Sequence, residues 1–135
     1  MTTVLNPYLH LTGNAREVME RYQQVFSGEL SVMTYGDMGM KGEHAGKVMH
    51  SQLNGPGLVL MASDYLEGMG SPTLPTNGHI SLSGDEAETL RGWWAGLAEG
   101  GTVHDELSVK PWGDEFGALT DRFGIDWVMN IAQPS

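Results

Sequence analysis

Five histidines, a run of carboxylates near the C-terminus and a complete lack of cysteine define the chemistry open to this 135-residue chain. Without thiols there are no disulfides, thiolate nucleophiles or cysteine-bound metals, and folding needs no oxidising compartment. His79 could act as a general base, because an imidazole with an unperturbed pKa of about 6.5 exchanges protons at neutral pH. Its other reading is an inward-facing histidine satisfied by a backbone carbonyl. His10, His44, His50 and His104 make no ligand-spaced pair, such as i and i+4 on one helix, with each other or with His79. They read as surface or packing residues, and His10 is expected to point away from the side that Tyr8 faces. Asp114, Glu115, Asp121 and Asp126 could suggest a paired acid and base, but turn chemistry and solvated faces account for them. No Ser-His-Asp order with a nucleophile elbow is visible. The glycine-rich run from Gly36 to Gly46 lacks phosphate-loop order and reads as a mobile loop or lid, with Met38 and Met40 as adaptable apolar contacts.

These residues need elements to hold them. Val4 to Leu11 reads as a first strand, stopped by Thr12-Gly13-Asn14. A helix follows, with Ala15, Val18, Met19, Tyr22, Val25 and Phe26 forming one apolar stripe, Asn14 and Glu17 a capping box, and Gly28 the stop. Strands are expected from Glu29 to Tyr35, Val48 to Leu53 and Leu58 to Ala62, the last two joined by the turn Asn54-Gly55-Pro56-Gly57. Residues 67–78, with Pro72 and Pro75, form a linker. The pattern then restarts. Leu11-Thr12-Gly13-Asn14 aligns with Leu82-Ser83-Gly84-Asp85 at an offset of 71 (82 minus 11), which also places Glu17 on Glu88 and Tyr22 on Trp93. A second helix from Glu86 to Ala98 precedes strands at Thr102 to Val109, Glu115 to Thr120 and Ile125 to Ile131. One domain, 1–135, is thus built from a β-α-β-β-β module at 1–66, the linker, and a second such module at 79–135.

Seven Lys plus Arg stand against 17 Asp plus Glu, a formal charge of -10. Such a chain repels nucleic acid and anionic membranes. No signal-peptide core follows Met1 and no run is long enough to span a bilayer, so a cytoplasmic protein is expected.

The stretch from Lys110 to Ile131 is the most particular: Trp112-Gly113-Asp114-Glu115-Phe116-Gly117, then Asp121-Arg122-Phe123-Gly124, then the strand from Ile125. It resembles the C-terminal signature of the PhnB-like branch of the vicinal-oxygen-chelate superfamily, which contains glyoxalases, bleomycin-resistance proteins and extradiol dioxygenases. The resemblance implies an α+β fold in which two β-α-β-β-β modules, with mixed sheets, curl around a shared cavity, and it implies a homodimer. Metal-dependent members place histidine and glutamate ligands on the first and last strands of each half. The offset of 71 matches Tyr8 with His79, and aligning Gly57 with Gly124 sets Met61 opposite Val128. Tyr8, Met61, His79 and Val128 are a poor set for a hard divalent ion, since a thioether is soft and a valine cannot bind. Ser63 and Asn130, two residues along, are weak ligands. The expectation is therefore no metal and no other cofactor, with a small organic ligand oriented by Tyr8, His79 and Asn130 and walled by Met61 and Trp127; Trp112 lies near the cavity mouth. Core packing is the competing reading for Tyr8 and both tryptophans. A metal-dependent lyase, isomerase or dioxygenase of the same superfamily is the alternative.

Overall fold

In the computed structural model, residues 6–64, 66 and 79–133 are described. The alternation of apolar residues in the strands and their three-and-four spacing in the helices yield ten main elements. The first five are β1 (Tyr8–Leu11), α1 (Ala15–Phe26), β2 (Glu29–Thr34), β3 (Val48–Gly55) and β4 (Leu58–Asp64). The second five are β5 (Ile80–Gly84), α2 (Ala87–Ala98), β6 (Thr102–Val109), β7 (Glu115–Thr120) and β8 (Asp126–Ile131). The chain divides into two units, Met1–Pro75 and Thr76–Ser135, with the boundary inside the expected linker, 67–78, which lies outside the described residues. Each unit holds one four-stranded mixed sheet, ordered β1-β4-β3-β2 in the first and β5-β8-β7-β6 in the second. In each, the outer first strand runs parallel to the last and the other pairs are antiparallel. This is the α+β architecture of two β-α-β-β-β modules that the repeat predicts.

One face of each sheet is covered by its own helix. In the first unit α1 packs on β2, β3 and β4, and Ala15, Val18, Met19, Tyr22 and Phe26 are buried. The strand residues beneath them follow from the register: Leu53 pairs with Leu60 and Ser51 with Ala62, all buried. Burying a large apolar side chain contributes roughly 1.5–3 kcal/mol, so this stripe anchors the helix. In the second unit Trp127, Met129, Ile131, Leu119 and Leu82 occupy the same layer, and Trp94 of α2 lies so close over Gly117 that a Cβ there would collide with its ring.

The helix start differs from the sequence expectation. Asn14 makes no side-chain cap. Asp64, at the end of β4 and almost fully buried, does the work instead: Oδ1 accepts from the Gly13 and Ala15 N–H groups at 2.8 and 2.9 Å, and Oδ2 from Val48 N–H at 2.9 Å. One carboxylate thus satisfies the Ala15 N–H, an orphan donor of α1, with the Gly13 N–H just before the helix, and ties both to the start of β3. The glycine-rich run is also more ordered than expected. A single 3-10 turn spans Gly36–Met38, and the base of the loop is closed by Tyr35 N–H to Lys47 carbonyl at 3.0 Å and Gly36 N–H to Ala45 carbonyl at 2.8 Å.

Candidate ligand-binding site

The side of each sheet not covered by its helix carries the chemistry. In the first unit, alternation sends Tyr8 and His10 of β1, Met61 and Ser63 of β4, His50 and Gln52 of β3 and Met33 of β2 to that open face. The register sets them in two rows. Tyr8 stands beside Met61 and Met61 beside Gln52, while His10 stands beside Ser63 and Met33 beside His50. The Tyr8 hydroxyl is 3.0 Å from His50 Nδ1, although β4 lies between their strands. Strands are about 4.8 Å apart, so the phenol reaches across β4, and this accounts for Ser63 being only 8% exposed on an otherwise open face. The Tyr8 ring is 5.3 Å from that of His10 and 5.7 Å from that of His50, centroid to centroid. Tyr8 and Met33 are each 41% exposed. With the His50 proton on Nε2 the phenol donates to Nδ1; an imidazolium reverses the bond.

His10 is therefore on the same face as Tyr8, against the expectation that it would point away. Residues two apart on a strand share a face, and only neighbours alternate. His50 likewise belongs to the group and is not a bare surface residue. The Tyr8-Leu9-His10-Leu11 alternation was sufficient to place His10, whereas His50 and Met33 required the strand pairing. Beneath this face, Tyr35 donates its hydroxyl to the Asp64 carbonyl at 2.9 Å, and burial, aided by the Asp64 carboxylate and the Tyr8 phenol, holds its own pKa above the usual value.

In the second unit the register revises two assignments. Ser81 pairs with Val128, as Tyr8 pairs with Met61. With Met61 equivalent to Val128, an offset of 67 (128 minus 61), the counterpart of Tyr8 is Ser81, an offset of 73 (81 minus 8). Gly28 and Gly101 give the same 73 (101 minus 28): each packs so tightly on a facing carbonyl, of Asn54 and Thr120 respectively, that no side chain fits. His79 precedes β5 and is exposed, two residues from the matched position. Trp127 does not reach the open face. It is 1% exposed, its indole N–H donates to Asp121 Oδ2 at 2.9 Å, and it shares the helix-covered layer with Leu119 and Ile80. The neighbouring Val128 points the other way, so one residue decides which side of the sheet the ring fills. Asn130 is on the open face, donating to Asp114 Oδ2 at 3.0 Å, and Trp112 is exposed with its ring 5.9 Å from Phe116.

The C-terminal carboxylates are mostly structural. Asp121 is buried, not solvated; its Oδ1 accepts from Phe123 and Ile125 N–H groups at 2.9 and 3.1 Å while Oδ2 holds Trp127. Glu115 is paired with Arg91 of α2, whose hydrogen bond holds the carboxyl below its ordinary pKa against the opposing effect of burial. Asp114 is lowered by its bonds from Asn130 and from the Gln133 N–H.

A divalent metal at the superfamily positions would have a phenol, a thioether, a hydroxyl and a valine as its matched residues, Tyr8, Met61, Ser81 and Val128. That donor set does not fit a hard cation. Among the described residues no group of three or more histidines and carboxylates is disposed to hold a metal ion. Nor is any of their helices long and apolar enough to cross a membrane.

Comparison with known proteins agrees with this architecture. Residues 5–129 match the Glyoxalase/Bleomycin resistance protein/Dioxygenase superfamily. Protein YjdN of Escherichia coli is 26% identical, covering 96% of this chain and 95% of its own. Protein PA1353 of Pseudomonas aeruginosa is 33% identical with a TM-score of 0.86, covering 98% of this chain and all of its own (100%). The PhnB protein of Bacillus cereus, at 22% identity, shares the fold with a TM-score of 0.72 over 96% of this chain and 100% of its own.

Proposed function

The chain belongs to the glyoxalase/bleomycin resistance/dioxygenase superfamily, with PhnB- and YjdN-like relatives, and from that premise we propose that it binds a small, mostly apolar or aromatic organic molecule without the superfamily metal. The observation that carries this reading is the open face of the first unit, where Tyr8, His10 and His50 form an aromatic group beside Met33 and Met61. Aromatic rings and adaptable thioethers, with a few polar groups to orient, are the lining that suits such ligands. A net charge of -10 favours neutral or cationic molecules over anions. Of the second unit's expected groups, Asn130 stands on the open face of its own sheet and His79 just before β5, whereas Trp127 is on the helix-covered side. The same reading includes a homodimer, since each four-stranded sheet has two edge strands that association could cover, and a cytoplasmic setting.

The test is a titration of the protein, labelled at its methionine methyl groups, with a panel of neutral aromatic compounds. Binding should shift the Met33 and Met61 resonances among the nine methionines. Replacing Met61 by Trp should weaken that binding while leaving the circular dichroism spectrum unchanged. Shifts confined to other methionines, or binding that survives both Met61→Trp and Tyr8→Ala, would place the ligand elsewhere.

A further inference from the structure

The open face of the second unit carries a second titratable group that the binding reading does not use. Thr120 donates its hydroxyl proton to Asp126 Oδ1 at 2.6 Å, and His104 Nε2 lies 2.8 Å from the same hydroxyl oxygen. A hydroxyl has one proton, and here the carboxylate takes it. The Thr120 oxygen must then accept from His104, which fixes the imidazole proton on Nε2 and leaves Nδ1 of this exposed side chain as the acceptor. The order carboxylate, hydroxyl, imidazole matches the logic by which a buried acid holds a catalytic histidine in one tautomer.

The backbone aims His104 as well. Val103 pairs with Leu119 and Asp105 with Ala118, so β6 advances two residues while β7 advances one, and His104 is the extra residue of a bulge. Bulges of this kind re-aim a side chain. His104, Thr120 and Asp126 stand at one end of the open face. Ala118, Phe116 and Val128 continue it, with Trp112 edge-on to Phe116, so a planar apolar body has a surface beside the imidazole. The charged and titratable groups nearby are Asp126 itself, Asp105 with its Lys110 partner at 2.7 Å, Glu106 on the same strand, and His79, one residue before Ile80, which pairs with Trp127 next to Asp126. The excess of carboxylates disfavours an anion.

We propose that this face is a metal-free proton-transfer site, in which His104 Nδ1 takes a proton from a neutral or cationic aromatic molecule while Thr120 and Asp126 position the imidazole. The proton leaves its carbon, nitrogen or oxygen for Nδ1, the bonding pair stays on the substrate, and the imidazolium returns the proton to water. The site lies in the other unit from the Tyr8 group, so its failure and that of the binding reading are distinguishable.

5-Nitro-1,2-benzisoxazole is the probe. It is neutral and planar; loss of its C3 proton forms the nitrile as the N–O bond breaks, releasing a coloured phenolate. Wild-type protein should turn it over faster than the same concentration of free imidazole. His104→Ala, at an exposed position, should lose about a hundredfold, the low end of what a positioned general base contributes. Thr120→Val should lower the rate and redistribute the His104 tautomers seen by nitrogen-15 NMR, because the hydroxyl that accepts from Nε2 is gone. Asp126→Asn, which loosens the hold on the Thr120 proton, should lower the rate in the same direction, and Thr120→Ser should restore both readouts. A wild-type rate no greater than that of imidazole, an unchanged rate in His104→Ala, or a Thr120→Val protein whose His104 tautomer stays fixed would overturn the proposal.

Discussion

Asp64→Ala is the sharpest test of how the binding face is held. Its carboxylate accepts three backbone N–H groups, those of Gly13, Ala15 and Val48, at 2.8 to 2.9 Å, and it is 2% exposed. A hydrogen bond to a charged group is worth about 1.5–3 kcal/mol, and a buried donor left alone costs a similar amount. Three such bonds would sum to roughly 4.5–9 kcal/mol if independent. They share one acceptor, and the Gly13 donor is only part-buried and can turn to water, so about 3–5 kcal/mol is expected, as for other broken buried charge networks. With a urea m-value of about 2 kcal/mol/M, the unfolding midpoint should fall by roughly 2 M. Asp64→Asn should cost less, because one amide oxygen still accepts from α1, but it presents an NH2 group to the Val48 N–H and so should not be neutral. The loss should also reach the ligand face, since Val48 begins the strand that carries His50 and Tyr35 bonds to the Asp64 carbonyl. A midpoint shift below about 0.5 M, corresponding to less than about 1 kcal/mol, would refute the role given to this carboxylate.

Three further outcomes follow from other contacts. Asp121→Ala should cost about 2–4 kcal/mol in urea unfolding, since it strands two backbone donors and the Trp127 indole N–H, and the native tryptophan emission should change; a surface-like shift in the midpoint would count against it. Acid stability should reflect Glu115 and Asp114, whose carboxyls are held below their ordinary values. A depressed folded pKa means the stabilisation is present above the unfolded value of about 4 and lost as pH falls through the folded one, so Glu115→Gln should flatten the midpoint against pH below about 4.5 and leave the slope near neutrality alone. Light scattering across the micromolar range should give the mass of two chains, and a single-chain mass throughout would exclude the proposed homodimer.

Most of the fold was legible because it rests on local signals. The stripe from Ala15 to Phe26 is a helical period and nothing else, and the strand from Glu115 to Thr120 is bounded by glycine and aspartate turns, so both elements appear where the sequence puts them. The duplication was legible as well, but its offset was not. Leu11-Thr12-Gly13-Asn14 and Leu82-Ser83-Gly84-Asp85 align without a gap at 71, whereas helices α1 and α2 begin 72 residues apart (87 minus 15) and the strand registers give 73. A loop before each helix absorbs the difference, and loop length carries no pattern. The site suffered most from this. An even slip of two keeps His79 on the correct face but moves it along the strand, and Trp127 was lost by a step of one. Asp64 and Asp121 were illegible for another reason: a buried carboxylate that serves backbone donors from distant segments has no sequence period at all.

The two halves use one framework for opposite chemistry, and the divergence lies in few positions. Where the first strand of one half carries Tyr8 and His10, the register places Ser81 and Ser83 in the other. A phenol long enough to cross β4 and reach His50 closes part of the first face with aromatic surface; a serine in the matched place leaves the second face open and polar. The histidines also sit on different strands, the third of the first unit and the second of the second unit. His50 of β3 follows a register shift against β2 and meets a ring, whereas in the second unit the shift falls on β6 and turns His104 towards a hydroxyl and a carboxylate. Each imidazole therefore has its orientation fixed by one hydrogen bond across strands, through Nδ1 in the first unit and through Nε2 in the second. The nitrogen left for a ligand is then Nε2 on one face and Nδ1 on the other. A neutral His50 that accepts from the phenol presents a donor, while a neutral His104 that donates to Thr120 presents an acceptor. The same duplicated sheet thus carries an imidazole that presents a donor in one unit and an imidazole that presents an acceptor in the other.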